Sequence, residues 1–343
     1  MKKFRARNIW FVALIGVAIF AIFITRIGYG RFLFLISNVN KSFVIIVFLL
    51  NVLNIITFTM SWKFLIPTNI GFYKLFKFYV AGIFINNVTP ALGSGGEPVK
   101  AMLLGEETGS SKAECFAWVV YHRIVNIFSF LAVELAGIGL LFYKPELTLE
   151  RWEISALVLS IVFGFFIFGL LIYFYIRKDK LSLFALSMLR SFVPLISWVK
   201  KSFDYRAHAS AIEKSINSFH SGLRGVHCNK NGIAKALLFS SLGWIFEIME
   251  MYVIFLSLGT GAHIPISVLI ITYSISIISG WIPLFLPGGI GVVDSTMATL
   301  FILGGVPLEV ALLATLLYRL SSYWFNTVLG AFYLWNSLKK SIS

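Results

Sequence analysis

Charge is scarce in this sequence, and acid is scarcer than base. Only 13% of the 343 residues are charged, with 15 Asp and Glu against 29 Lys and Arg. So few polar side chains cannot cover the surface of a globular domain in water. Cysteine is also rare: Cys115 and Cys228 are the two present, which excludes a disulfide-stapled scaffold. His220, His227 and Cys228 are near neighbours, but their spacing fits no zinc pattern, so no metal site is expected. Neither an Asp-x-Asp pair, a Gly-x-Ser-x-Gly elbow nor a phosphate-cradling glycine loop followed by Lys occurs. Catalytic residues and cofactors are therefore not expected.

What is present is apolar: 58% hydrophobic and 16% aromatic residues. A bilayer core about 30 Å thick takes roughly 20 apolar residues per helical span. Full spans are expected at about 9–25, 42–66, 113–143, 153–176, 233–258 and 308–338. The excess of basic residues flanks these runs, as the positive-inside rule requires, and does not indicate nucleic acid. The N-terminal Met1-Lys2-Lys3-Phe4-Arg5-Ala6-Arg7 before the first run reads as the cytoplasmic flank of an uncleaved span.

Two further apolar stretches are broken. Residues 70–109 are interrupted by Asn86-Asn87-Val88-Thr89-Pro90-Ala91-Leu92-Gly93-Ser94-Gly95-Gly96-Glu97-Pro98, and 265–305 by Pro283-Leu284-Phe285-Leu286-Pro287-Gly288-Gly289-Ile290-Gly291. Pro and Gly do not continue a regular helix, and irregular backbone at membrane depth survives only inside protein or beside water. Each stretch is read as a re-entrant hairpin turning at Pro90, Gly95 and Gly96, or at Pro287, Gly288, Gly289 and Gly291.

Charge parity agrees. Segment 177–231 carries ten of the Lys and Arg residues and belongs in the cytoplasm, as do Lys63, Lys74, Lys77, Lys339 and Lys340. This works only if hairpin 70–109 begins and ends inside and hairpin 265–305 outside, with both termini cytoplasmic. The expected architecture is an all-α polytopic membrane protein of the cell membrane, one transmembrane domain over 1–343. It has six full spans and two re-entrant helical hairpins arranged as an inverted repeat of halves 1–143 and 153–338. Segment 177–231, with Trp198, Phe203, Ile212, Ile216, Phe219 and Leu223 among its basic residues, is a cytoplasmic amphipathic insertion on the inner surface.

Spacing supports the repeat. Pro90 precedes Glu97 by seven positions and Pro287 precedes Asp294 by seven. Glu97 precedes Arg123 by 26 and Asp294 precedes Arg319 by 25; Asn126 and Asn326 follow the two arginines. Broken helices at the interface of an inverted repeat are the pattern of secondary transporters.

Intramembrane charges are expensive, and each is a candidate for function. Glu97, Lys100, Arg123, Asn126, Glu134, Glu247, Asp294, Arg319 and Asn326 are the candidate cavity residues. Glu250 lies one turn from Glu247. Two readings stay open. Glu97 with Arg123 and Asp294 with Arg319 pin each hairpin to its span, or the set lines a hydrated cavity in which the arginines draw in a phosphate. Spare carboxylates would then be free to exchange protons.

The residues around both breaks carry a resemblance. Asn87-x-x-Pro90 with Gly96-Glu97-x-x-Lys100-Ala101-x-Leu103-Leu104, then Leu286-Pro287-Gly288-Gly289-Ile290-Gly291-Val292-Val293-Asp294, Gly305-Val306-Pro307 and Leu317-Tyr318-Arg319, resemble the signatures of the lysylphosphatidylglycerol synthase transmembrane-region family. The resemblance implies a flippase-like domain, as in the multiple peptide resistance factor, which moves aminoacylated phosphatidylglycerol. It makes Glu97, Lys100, Arg123, Asp294 and Arg319 the implied cavity residues. No soluble aminoacyl-transfer domain is present in this sequence, which argues against lysyl-lipid synthesis. The expected function is a flippase- or scramblase-like transporter of a phospholipid or a polyprenyl-phosphate-linked glycolipid. The alternatives are a non-transporting membrane partner of a separate glycosyltransferase or lipid synthase, and a membrane-embedded headgroup transferase.

Overall fold

The computed structural model describes residues 18–89, 95–143, 151–183, 186–187, 205–227, 229–259, 264–280 and 287–340, and every regular element among them is helical. In chain order these are α1 (Ala18–Ile27), α2 (Tyr29–Ser37), α3 (Lys41–Leu65), α4 (Phe72–Val88), α5 (Gly96–Thr108), α6 (Lys112–Tyr143), α7 (Arg151–Ile176), α8 (Tyr205–His227) and α9 (Lys230–Ser257). They continue with α10 (Ile266–Gly280), a 3₁₀ turn (Pro287–Gly289), α11 (Val292–Leu303), α12 (Leu308–Tyr318), a π-helical segment (Arg319–Phe325) and α13 (Asn326–Lys340).

α3, the Lys112–Gly137 part of α6, and α9 are each long and apolar enough to cross a membrane. They fall on the expected spans 42–66, 113–143 and 233–258, and α7 falls on 153–176. Most of the expected span 9–25 lies outside the described residues. Its continuation, α1, ends at Gly28, where the chain bends by 94° into α2. α2 exposes Tyr29, Leu33, Phe34 and Ile36 and was not anticipated.

The helix starts are set by side chains. The Asn40 carboxamide accepts from Ser42 N at 3.0 Å to begin α3, and Asn229 does the same from Gly232 N at 2.9 Å to begin α9. Ser111 and Glu114 form a reciprocal box at the head of α6. α3 and α9 then pack antiparallel at the centre. Ser61 Oγ donates to Ala236 O at 2.9 Å and Asn54 Nδ2 donates to Gly243 O at 2.9 Å, so polar side chains knit the two backbones together.

α8 is amphipathic, as its part of segment 177–231 was expected to be. Ile216, Leu223 and Val226 are buried against α6, while Lys214 and Arg224 face outward. Residues 188–204 of that segment lie outside the described residues.

Each broken stretch is indeed two helices. α4 packs on α5, and α10 on α11. At the first crossing a Cβ on Gly96 would lie 2.1 Å from the backbone oxygen of Gly82, so only glycine lets α5 approach α4 this closely. Asn86 Oδ1 accepts from Gly96 N at 2.6 Å, which ties the end of α4 to the start of α5. Pro90 lies outside the described residues. At the second break Gly288 and Gly289 take left-handed φ of 57° and 65°, and Gly291, also left-handed at 87°, caps α11.

The last apolar stretch departs from the expected single regular span. It runs as α12, seven π-helical residues and α13. The π turn shifts the register of this segment relative to a regular helix. Ser321, not Ser322, faces α9.

A candidate polar site at two helix breaks

The second break is closed by charge. Arg319 Nε and Nη2 each reach one oxygen of Asp294, both at 2.9 Å, and Nη2 also donates to Gly289 O at 3.2 Å. Asp294 Oδ2 accepts in turn from Gly291 N at 2.7 Å, within the first turn of α11, where an acid complements the helix dipole. The pair is buried, with about 8% and 7% of the side chains exposed. Ile19 and Phe20 of α1, with Tyr323 and Trp324, close over it and leave a space of about 10 Å³, scarcely room for one water.

The first break is arranged differently. Glu97, in the first turn of α5, pairs with Lys100 on the same helix at 3.5 Å, and both are buried. Arg123 on α6 acts electrostatically on Glu97, Lys100 and Tyr79. Lys100 is buried. Its ammonium lies 5.2 Å from the ring centre of Tyr79 and 5.9 Å from that of Trp62. His122 completes this aromatic wall, 6.3 Å from Trp62.

The two breaks meet at Tyr323, which sequence reasoning passed over. Its hydroxyl donates to Asn87 O at 2.8 Å at the end of α4. Its ring packs so tightly on Gly288 that a Cβ there would come within 2.2 Å of it. The Arg319 guanidinium carbon stands 5.1 Å from the same ring centre. Asn87 Nδ2 also reaches Thr327 Oγ1 at 2.8 Å.

The remaining candidates sit on the central helices. Asn326 and Asn51 exchange side-chain hydrogen bonds at 2.9 and 3.2 Å, and Asn51 Nδ2 also reaches Ser321 O at 2.8 Å. Asn126 Oδ1 accepts from Ser240 Oγ, and its backbone oxygen accepts from Trp244 Nε1 at 3.0 Å, which fastens α6 to α9. Glu247 accepts from Tyr318 OH at 2.9 Å and Asn54 Nδ2 at 3.2 Å. Glu134 is buried on α6. Asn51, Asn54, Tyr79, His122, Tyr318 and Ser321 were not singled out. Asn51 and Asn54 carried a signal, being two amides one turn apart within an apolar run.

A larger cavity, about 550 Å³, lies elsewhere among α5, α6 and α8. It is lined chiefly by apolar side chains, including Pro98, Met102, Phe116, Ile216 and Phe219.

Comparison with known proteins places this arrangement. The chain is 30% identical over 329 residues to a UPF0104 membrane protein of Methanothermobacter thermautotrophicus, covering 92% of this chain and 91% of the relative. It is 28% identical to UPF0104 membrane protein MJ1595 of Methanocaldococcus jannaschii, covering 96% and 95%. A phosphatidylglycerol lysyltransferase of Staphylococcus aureus matches at 28% identity over 60% of this chain but only 24% of its own length. No solved structure matches. The family model described as the lysylphosphatidylglycerol synthase TM region matches residues 9–330, and the chain is an integral membrane protein of that family.

Proposed function

We propose that this protein is a lipid transporter, flippase- or scramblase-like, which passes a lipid headgroup between two re-entrant hairpins. The observation that carries the reading is the convergence of both helix breaks and a buried Asp294–Arg319 pair on Tyr323. Helix breaks and buried charge at one place are costly to a protein that needs only to span a bilayer.

The architecture that goes with this reading has six spans and two hairpins. Halves 1–143 and 153–338 form an inverted repeat, both termini are cytoplasmic in the cell membrane, and segment 177–231 rests on the inner surface. The substrate is an anionic membrane lipid, either a phospholipid or a polyprenyl-phosphate-linked glycolipid. The likeness to a phosphatidylglycerol lysyltransferase favours the former. Lys100 and Arg123 receive the phosphate at one hairpin and Arg319 at the other. Glu97 and Asp294 are the resting counter-ions that a phosphate displaces, so each buried cation keeps an anionic partner throughout. Asn126, Glu134, Glu247 and Asn326 line the path between them. α1, lying over the Asp294–Arg319 pair, is the lateral cover. The protein performs no covalent chemistry in this scheme.

The test is headgroup translocation by purified protein in liposomes, with labelled phospholipids and a polyprenyl-phosphate sugar. Protein-dependent movement that Asp294→Asn and Arg319→Ala both abolish, in folded variants, is the expected result. A folded protein that binds these lipids and moves none of them refutes the proposal.

A further inference from the structure

A second polar group lies at the centre of the molecule, beside the proposed path. Glu247 and Glu250 lie one turn apart on α9 and project to one face. Glu250 is fully buried. Its Oε1 accepts from Ser321 Oγ at 2.5 Å, and among the described residues its Oε2 has no hydrogen-bond partner. Tyr273, 1% exposed, stands beside both carboxylates, with its hydroxyl directed at Glu247. Glu247 keeps part of its surface open.

The groups that face the pair are almost all neutral. α3 presents Asn54, α4 Tyr79, α10 Tyr273, α12 Tyr318 and the π segment Ser321. Behind Tyr318 lies Arg319, held by Asp294. α6, also packed on α9, carries Arg123, Asn126 and Glu134. Among the described residues neither Glu247 nor Glu250 makes an ion pair. Two ionised carboxylates one turn apart, in surroundings that exclude water, repel strongly and lack a compensating cation.

Packing does not call for acids here. Asn51 and Asn54 precede Glu247 and Glu250 by 196 positions, the offset that also separates Arg123 from Arg319. At the matching place in the first half, then, neutral amides do the structural work.

We infer that Glu247 and Glu250 form a proton-binding site buried in the membrane, holding one proton between them. Glu247 is the exchanging edge, Glu250 the enclosed acceptor, and Tyr273 the hydroxyl that turns toward whichever carboxylate is charged. Ser321 couples the site to the Asp294–Arg319 pair, because it shares the π segment with Arg319. The coupling to lipid movement rests on the transport reading; proton binding itself does not.

The experiment uses the full protein in lipid nanodiscs. Dicyclohexylcarbodiimide, which adds to protonated carboxyl groups in apolar surroundings, is applied across a pH series with and without sodium, and adducts are mapped by mass spectrometry. Adducts at Glu247 or Glu250 are expected, falling about tenfold per pH unit above the midpoint and indifferent to sodium. Infrared difference spectra between acid and alkaline pH should show a protonated carboxyl band. The double variant Glu247→Gln with Glu250→Gln, which mimics the protonated shapes, should fold and lose both signals. Labelling that sodium suppresses would make this a metal-cation site and overturn the proposal. So would labelling indifferent to pH, or a folded protein with neither adduct nor band. A protein that binds the proton but moves no lipid would sink the transport reading alone, and one that moves lipid without either signal would sink this one alone.

Discussion

Removing one member of the Asp294–Arg319 pair should cost more than removing both charges. The two hydrogen bonds are each 2.9 Å and the side chains are almost fully enclosed, so water cannot take the place of a lost partner. Opposite charges about 4 Å apart attract by about 4 kcal/mol at an effective dielectric constant near 20. Truncating one side of a buried pair typically costs about 3–5 kcal/mol, because the other charge is stranded. Arg319→Met leaves the Asp294 carboxylate with the Gly291 N–H, and Asp294→Asn leaves the guanidinium with amide and carbonyl oxygens. Each single variant is expected to lose about 3–5 kcal/mol. The double variant retains an acceptor for Gly291 N–H and buries no net charge, so most of that loss should return, to within about 1–2 kcal/mol of the parent. The assay is reversible unfolding in mixed detergent micelles, read as a double-mutant cycle. Losses that simply add would show that the pair is not held in a water-excluded site. Translocation separates stability from function: the double variant should be nearly as stable as the parent and still inactive.

Three further changes test other contacts. Gly96→Ala puts a methyl group 2.1 Å from Gly82 O and should destabilise by at least about 1–3 kcal/mol, measured by the same unfolding assay; an unaffected protein would mean that α4 and α5 do not cross there. Tyr323→Phe removes the hydroxyl that reaches Asn87 O and should cost about 1 kcal/mol while slowing translocation; unchanged transport would deny that the two breaks act together. Asn326→Leu strands Asn51, whose Nδ2 and Oδ1 both engage Asn326, and should cost about 1–3 kcal/mol, whereas adding Asn51→Leu should recover part of that, as thermal unfolding of both variants would show.

The helices were the legible part. Apolar run lengths located α3, α6, α7 and α9 to within a few residues, because a bilayer imposes length directly on sequence. Gly and Pro clusters located both breaks, since each takes dihedral angles or approaches that other residues resist. The Asp294–Arg319 contact was one of two readings that intramembrane charge and spacing left open. The bend at Gly28 was not legible, because the glycines of Arg26-Ile27-Gly28-Tyr29-Gly30-Arg31 do not reveal the direction of the chain. Nor was the π segment, whose sequence Arg319-Leu320-Ser321-Ser322-Tyr323-Trp324-Phe325 has ordinary helical composition. Its register depends on partners more than 60 residues away, Glu250 and Asn87. Tyr323 was overlooked for the same reason: a tyrosine among aromatics is unremarkable until the chain folds it between two breaks.

The two hairpins differ in a way that bears on mechanism. Spacing made Glu97–Arg123 and Asp294–Arg319 equivalent, but Glu97 pairs with Lys100 on its own helix whereas Asp294 pairs with Arg319 across helices. The Glu97 carboxylate reaches the Lys100 ammonium one turn along α5, at 3.5 Å. The central helices break the symmetry in the same sense, with amides on α3 where α9 carries acids. A device that only held two equal halves together would have no reason to lock one hairpin and leave the other's charges within a single helix. Alternating access does have such a reason, since one side must be shut while the other can admit a headgroup. Under the proposed transport reading, the Asp294 side, covered by α1, is the shut side. On the same reading, Lys100 on α5 and Arg123 on the neighbouring α6 are where an anionic headgroup enters.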